Sequence, residues 1–176
     1  MRIIPSFDYE TYSEAGLAWD AAAGKWHGTE PGSKKTGLPL VGAYNYVSHP
    51  SFEVLCMAYD MRRGAGVQLW LPGDAPPADI CAHVAAGGLV KAWNSSFEFY
   101  VWSLFCTPRL GWPTLRIEQM RCAMAQAAVN GYPRGLEDAG DVVLRHRTQP
   151  ERPTHCAHGT PTHVDCPRCD AEDKPF

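Results

Sequence analysis

The chain has 176 residues, with 16 Lys and Arg against 19 Asp and Glu and a net charge of −3. That length suits one ordinary domain plus an appendage, and 45% hydrophobic residues supply a core. The near-balance of charge excludes a protein that coats nucleic acid by charge alone, and no apolar run approaches the ~20 residues of a membrane span.

In chain order, residues 2–9 read as a first strand, with Pro5 limiting it to an edge or to its opening positions. Arg2 is followed by no long apolar segment or small-residue cleavage site, so a cytoplasmic protein is expected. Residues 20–39, DAAAGKWHGTEPGSKKTGLP, are rich in Gly, Pro and Lys and read as a long loop. FEVLCMAYDM (52–61) and VQLWL (67–71) read as strands joined by the turn RRGAG. PPADICAHVAAGG has helix punctuation, Pro near the start and Gly at the end. LVKAW (89–93) reads as a short buried strand running into NSSFEFYVWSLFC, a packed helix that Asn94 or Ser95 can cap. IEQMRCAMAQAAVNG (117–131) reads as a helix, and GLEDAGDVVLRH as another. Strands followed by alternating strands and helices predict an α/β fold with a mixed sheet. No periodicity survives beyond His146, so the expected division is a folded domain at 1–146 and a Cys/His-rich tail at 147–176.

The seven cysteines divide along the same line. Cys56, Cys81, Cys106 and Cys122 sit singly in apolar segments, as buried free thiols do. HCAHGTPTHVDCPRC (155–169) holds three Cys and three His. Cys166 and Cys169 have the C-x-x-C spacing of a zinc knuckle, which Cys156 with His158 or His163 completes. His158 is favoured because it stands two residues from Cys156, and thiolate with imidazole selects Zn²⁺ over Mg²⁺. The alternative is a tail whose Cys and His serve no metal.

The chemistry-bearing residues lie elsewhere. Asp8 and Glu10 are two apart on a strand and so share a face. Like charges that close are unfavourable unless a cation lies between them. Glu98 falls on the first turn of the helix after the LVKAW strand, where it can project toward the same sheet end. Three carboxylates suit hard divalent cations such as Mg²⁺ or Mn²⁺, and two such ions about 4 Å apart can hydrolyse a phosphodiester.

FDYETYS and AWNSSFEFYVW resemble the first two motifs of the DEDD 3′–5′ exonucleases. Together with VGAYNYVSHPSFEVLCMAYDM and RCAMAQAAVNGYPRGLEDAG, in order and spacing, they resemble the proofreading domain of bacteriophage family A DNA polymerases over roughly residues 2–145. The resemblance implies a ribonuclease H-like mixed sheet flanked by helices and a role in DNA replication. It implies two Mg²⁺ or Mn²⁺ ions held by Asp8, Glu10 and Glu98. Thr11 and Tyr12 would lie beside the terminal nucleotide of a single-stranded or frayed DNA 3′ end, and Asn94 would be a positioning residue. Phe97 would orient Glu98.

The third motif of that family, Tyr-x-x-x-Asp or His-x-x-x-x-Asp, is not found. Tyr132 is followed at the fourth position by Leu136, and the spacing of Asp138 and Asp141 reads as a solvated helix face. The chain therefore looks like a truncated or rearranged exonuclease, for which two expectations stand: another polypeptide, such as a separate polymerase, supplies the missing acid, or activity is weak or absent. The rival expectations are a catalytically impaired module that binds nucleic acid or a polymerase, and a ribonuclease H-like nuclease of other polarity.

Overall fold

Our computed structural model describes residues 4–148. By its internal packing the chain divides between Arg134 and Gly135.

The first unit is an α/β layer structure around a mixed five-stranded sheet. Its strands are β1 (Ser6–Tyr12), β4 (Glu53–Asp60), β5 (Gln68–Trp70), β6 (Val90–Ala92) and β7 (Met120–Cys122), in the order β5-β4-β1-β6-β7. β1 runs antiparallel to β4, and β4 to β5; β6 runs parallel to both β1 and β7. A separate hairpin joins β2 (Leu17–Asp20) to β3 (Lys25–Gly28). The helices of this unit are α1 (Leu38–Ser48), α2 (Ala78–Ala85), α3 (Ser95–Val101), the short α4 (Thr107–Leu110) and α5 (Ala123–Val129). A π-helical turn, Trp102–Cys106, carries α3 into α4.

The alternation along β1 explains its place in the sheet. Phe7 and Tyr9 are buried while Asp8 and Glu10 are exposed, as the period of two requires. Phe7 packs edge-on against Trp102, and Trp102 against Trp112, which in turn meets Trp70 at 5.0 Å. Two of these indoles find backbone acceptors: Trp102 donates to the Pro113 carbonyl at 2.8 Å and Trp70 to that of Ala75 at 3.1 Å. The Tyr9 hydroxyl lies 3.4 Å from the Cys106 thiol in the same core. Burial pushes that thiol up to about 12, so it stays neutral.

Three segments differ from their sequence expectation. The first strand begins at Ser6, after Pro5, because Pro has no N–H for the ladder. The expected loop at 20–39 contains the β2–β3 hairpin instead. Asp20 closes its turn by accepting from the Ala22 and Ala23 amides, and Gly24 takes the left-handed conformation at φ 61°. The expected helix at 117–131 is a 3₁₀ turn (Ile117–Gln119), then β7, then α5. Pairing of Met120, Arg121 and Cys122 with Val90, Lys91 and Ala92 outweighs the local helix preference. α1 has no counterpart in the sequence reading; it is kinked at Gly42 (φ 76°, ψ 163°), which hides its periodicity.

Of the four cysteines expected to be buried, Cys106 is buried and Cys56, Cys81 and Cys122 are half-buried; all four are free thiols. The second unit is described by α6 (Leu136–Thr148), with Glu137 and Asp138 in its first turn. Among the described residues no helix is long and apolar enough to cross a membrane.

Candidate active site

Parallel pairing of β1 with β6 sets the geometry. Ser6 is level with Lys91, and the Lys91 amide donates to the Pro5 carbonyl at 2.8 Å. β6 ends at Ala92, and the chain then enters α3 at Ser95. Asn94 occupies the N-cap, where its carbonyl accepts from the Phe97 amide at 2.9 Å. The expected N-cap position is thus held by Asn94, although its side chain makes no capping bond. The first turn of α3 then buries Phe97 in the core and brings Glu98 to Asp8.

Glu98 is only 3% exposed, yet its Oε2 has no hydrogen-bond partner. Burial is the main cause that pushes its carboxyl up to about 8. A backbone hydrogen bond at Glu98 opposes the rise, while the charge of Asp8, a side-chain hydrogen bond with Asp8 and, less strongly, the charge of Cys122 add to it. A buried carboxyl beside a second carboxylate either keeps its proton, as the raised pKa of Glu98 allows, or ionises at a cost that a cation between the two relieves. Asp8 and Glu98 thus fit one hard divalent ion.

Glu10 stands opposite Cys56 on the exposed side of β1, next to a register break between Glu10 and Thr11. Among the described residues no three His, Cys, Asp or Glu side chains form a group able to hold a metal ion. The structure therefore brings Asp8 and Glu98 together but does not assemble the expected trio. Thr11, half-buried, and Tyr12, exposed, end the strand beyond the break, and the Tyr12 hydroxyl donates to Glu14 at 3.2 Å. Cys156, His158, His163, Cys166 and Cys169 lie outside the described residues.

One residue of this neighbourhood reads from the sequence only as a buried free thiol. Cys122 ends β7 and caps α5, its Sγ accepting from the Ala125 amide at 3.4 Å and donating to the Trp93 carbonyl at 3.3 Å. Desolvation is the largest single influence on it and raises its pKa. Hydrogen bonds from Ser95, Ala125 and Met124 together outweigh that and leave it lowered. The signal in the sequence was its position at the front of an Ala-rich run, but without the strand boundary a cap cannot be recognised.

A cavity of about 380 Å³ lined by Val84, Gly87, Thr114, Arg116 and Gln119 sits where β6 and β7 begin, the opposite end of these strands from Glu98. Gln119 spends its side-chain amide there on the Val84 and Gly88 carbonyls. The pocket is thus separate from the carboxylates. Compared with known proteins, the chain matches no protein-family profile, no curated protein and no solved structure.

Proposed function

We propose that the chain is a metal-dependent 3′–5′ exonuclease acting on DNA, with a ribonuclease H-like fold related to the proofreading domain of phage family A polymerases. The observation that carries this reading is the buried Glu98 carboxyl, its Oε2 unpartnered, beside Asp8. A central strand bearing Asp8, antiparallel to β4 and parallel to β6, supports the ribonuclease H-like assignment.

In this reading Asp8 and Glu98 hold the first divalent ion, and Glu10, on the same exposed side of β1 as Asp8, joins when ions and substrate are bound. Mg²⁺ or Mn²⁺ ions there would activate a water and stabilise the leaving 3′ oxygen of a phosphodiester. The protein's own part is to hold Glu98 in a dry setting, so that its oxygen is free for a cation rather than spent on water. Thr11 and Tyr12 flank the terminal nucleotide, and Asn94 fixes the start of α3.

A second reading is a module that binds nucleic acid or a polymerase without cutting. It is favoured by the missing third motif and by the absence, among the described residues, of a group of three metal-ligating side chains. One experiment separates the two. Single-stranded DNA labelled at its 5′ end is incubated with the protein and Mg²⁺ or Mn²⁺. The nuclease reading expects stepwise shortening from the 3′ end, stopped by EDTA and reduced to background by Asp8→Asn and by Glu98→Gln. Binding without shortening supports the module, and shortening undiminished in Asp8→Asn overturns the assignment of the site.

A further inference from the structure

We propose that the Trp19–Trp26 pair of the β2–β3 hairpin, with Lys34 and Lys35 beside it, is a stacking platform for the bases of a single-stranded nucleic acid. The two indoles are directly opposite in the hairpin register and meet edge-to-face, centroids 5.5 Å apart and planes at 63°. Each is nevertheless about half exposed, Trp19 at 53% and Trp26 at 46%. A pair that served only to hold the hairpin would gain by covering more of that area. Edge-to-face geometry instead leaves one indole face open to a planar ligand.

The cations come from the segment that follows. On β3, Gly28 shares the Trp26 side of the strand. A Cβ at Gly28 would stand 2.8 Å from the Lys35 carbonyl and 3.2 Å from the Thr36 methyl. The turn at 33–36 is therefore laid across the tryptophan-bearing side of the hairpin, and only glycine leaves room for it. That turn carries Lys34 and Lys35, both exposed. Among the described residues the ion pair within 4 Å joins Arg62 to Asp60, so neither lysine has its charge neutralised. Asp20 and Lys25 face each other on the opposite side of the hairpin, and Glu30 is the acid nearest in sequence to the turn.

Open aromatic faces with unpaired cations alongside are what a flexible polyanion of stacked rings requires. Each base offers a π-face and each linkage a phosphate. An apolar partner protein would use the rings but leave two lysines unmatched. The hairpin also follows β1 directly, leaving the sheet at the end toward which Asp8 and Tyr12 lead. The platform is independent of cleavage, and its test is made in EDTA.

Binding of short fluorescent oligothymidylate and oligouridylate is measured by anisotropy over a salt series. Three variants are compared: Trp19→Leu with Trp26→Leu, Trp19→Tyr with Trp26→Tyr, and Lys34→Ala with Lys35→Ala. The leucine pair keeps an apolar cross-strand contact but has no π-face, so affinity should fall about tenfold or more per ring lost. The tyrosine pair should keep most of the affinity. Losing both lysines should lower the salt slope by about 1.4, or ~0.7 per phosphate. No binding by the wild-type chain, or equal binding by the leucine and wild-type proteins, would overturn the proposal. Circular dichroism of each variant separates this from loss of fold, and 3′ shortening with Mg²⁺ reports on the nuclease site separately.

Discussion

Glu98 is buried beside Asp8 with its Oε2 unpartnered, although the two residues are far apart in sequence. Its carboxyl holds its proton up to about 8 in the folded chain, against roughly 4.3 when unfolded. Between those values the unfolded state has released a proton that the folded state keeps. Stability therefore falls as pH rises through this window and stays lowered above it. Glu98→Gln should be nearly neutral in acid and should stabilise the metal-free protein near pH 8. The expected gain is on the order of a few kcal/mol, the cost of ionising a buried carboxyl, which the neutral amide does not bear. A divalent cation binds the ionised form, so Mg²⁺ should raise the melting temperature of the wild type near pH 8 and have little effect on Glu98→Gln. Thermal unfolding at about pH 5 and pH 8, with and without Mg²⁺, reads both effects.

The tryptophan chain fixes where α3 and its π-turn lie. Trp102 is fully buried against Phe7 and Trp112, and its indole N–H is satisfied by Pro113. Trp102→Ala should cost about 3–5 kcal/mol in chemical denaturation, from lost burial plus the cavity left behind. Trp102→Phe should cost less, since it keeps most of the volume and loses one hydrogen bond. Equal losses for the two would show that the hydrogen bond, not the packing, matters at this position.

Among the four thiols of the described residues, Cys122 should react first with iodoacetamide near neutral pH. Its pKa is lowered by hydrogen bonds at the α5 N-cap, whereas burial raises Cys81 to about 11 and Cys106 to about 12. Peptide mapping by mass spectrometry after brief labelling gives the order. Prior labelling of Cys81 would contradict the cap assignment. Cys122→Ser should keep the helix start, and Cys122→Ala should cost about 1 kcal/mol.

The segment 155–169 is proposed to bind one Zn²⁺ through Cys156, Cys166, Cys169 and His158, with His163 as the alternative histidine. Too few apolar side chains lie in 147–176 to offset an ordering cost of about 1–2 kcal/mol per residue, whereas a structural zinc supplies on the order of 10 kcal/mol. Elemental analysis should find one zinc per chain, lost in Cys166→Ser. Zinc near zero in both proteins would remove the site.

What the sequence settled by itself was whatever local periodicity and punctuation encode. β4, β5, α2, β6, α3 and α6 were all legible because strand alternation, Pro–Gly punctuation and capping are read within a few residues. The residue types of the site were legible for the same reason, since Asp8 and Glu98 mark themselves as acids at the ends of apolar segments. Tertiary structure decided the rest. β7 is a strand only because β6 offers it a ladder, against an Ala-rich stretch that prefers helix. β2 and β3 lie in a composition that reads as loop, and what marks the hairpin is Trp19 opposite Trp26, a pairing visible only once the turn at Asp20 and Gly24 is closed. That Asp8 meets Glu98 while Glu10 joins no group of three follows from the β1–β6 register and the break after Glu10. Periodicity assigns a side chain to a face; which face meets which carboxylate depends on strand pairing between distant segments, and no local pattern carries that.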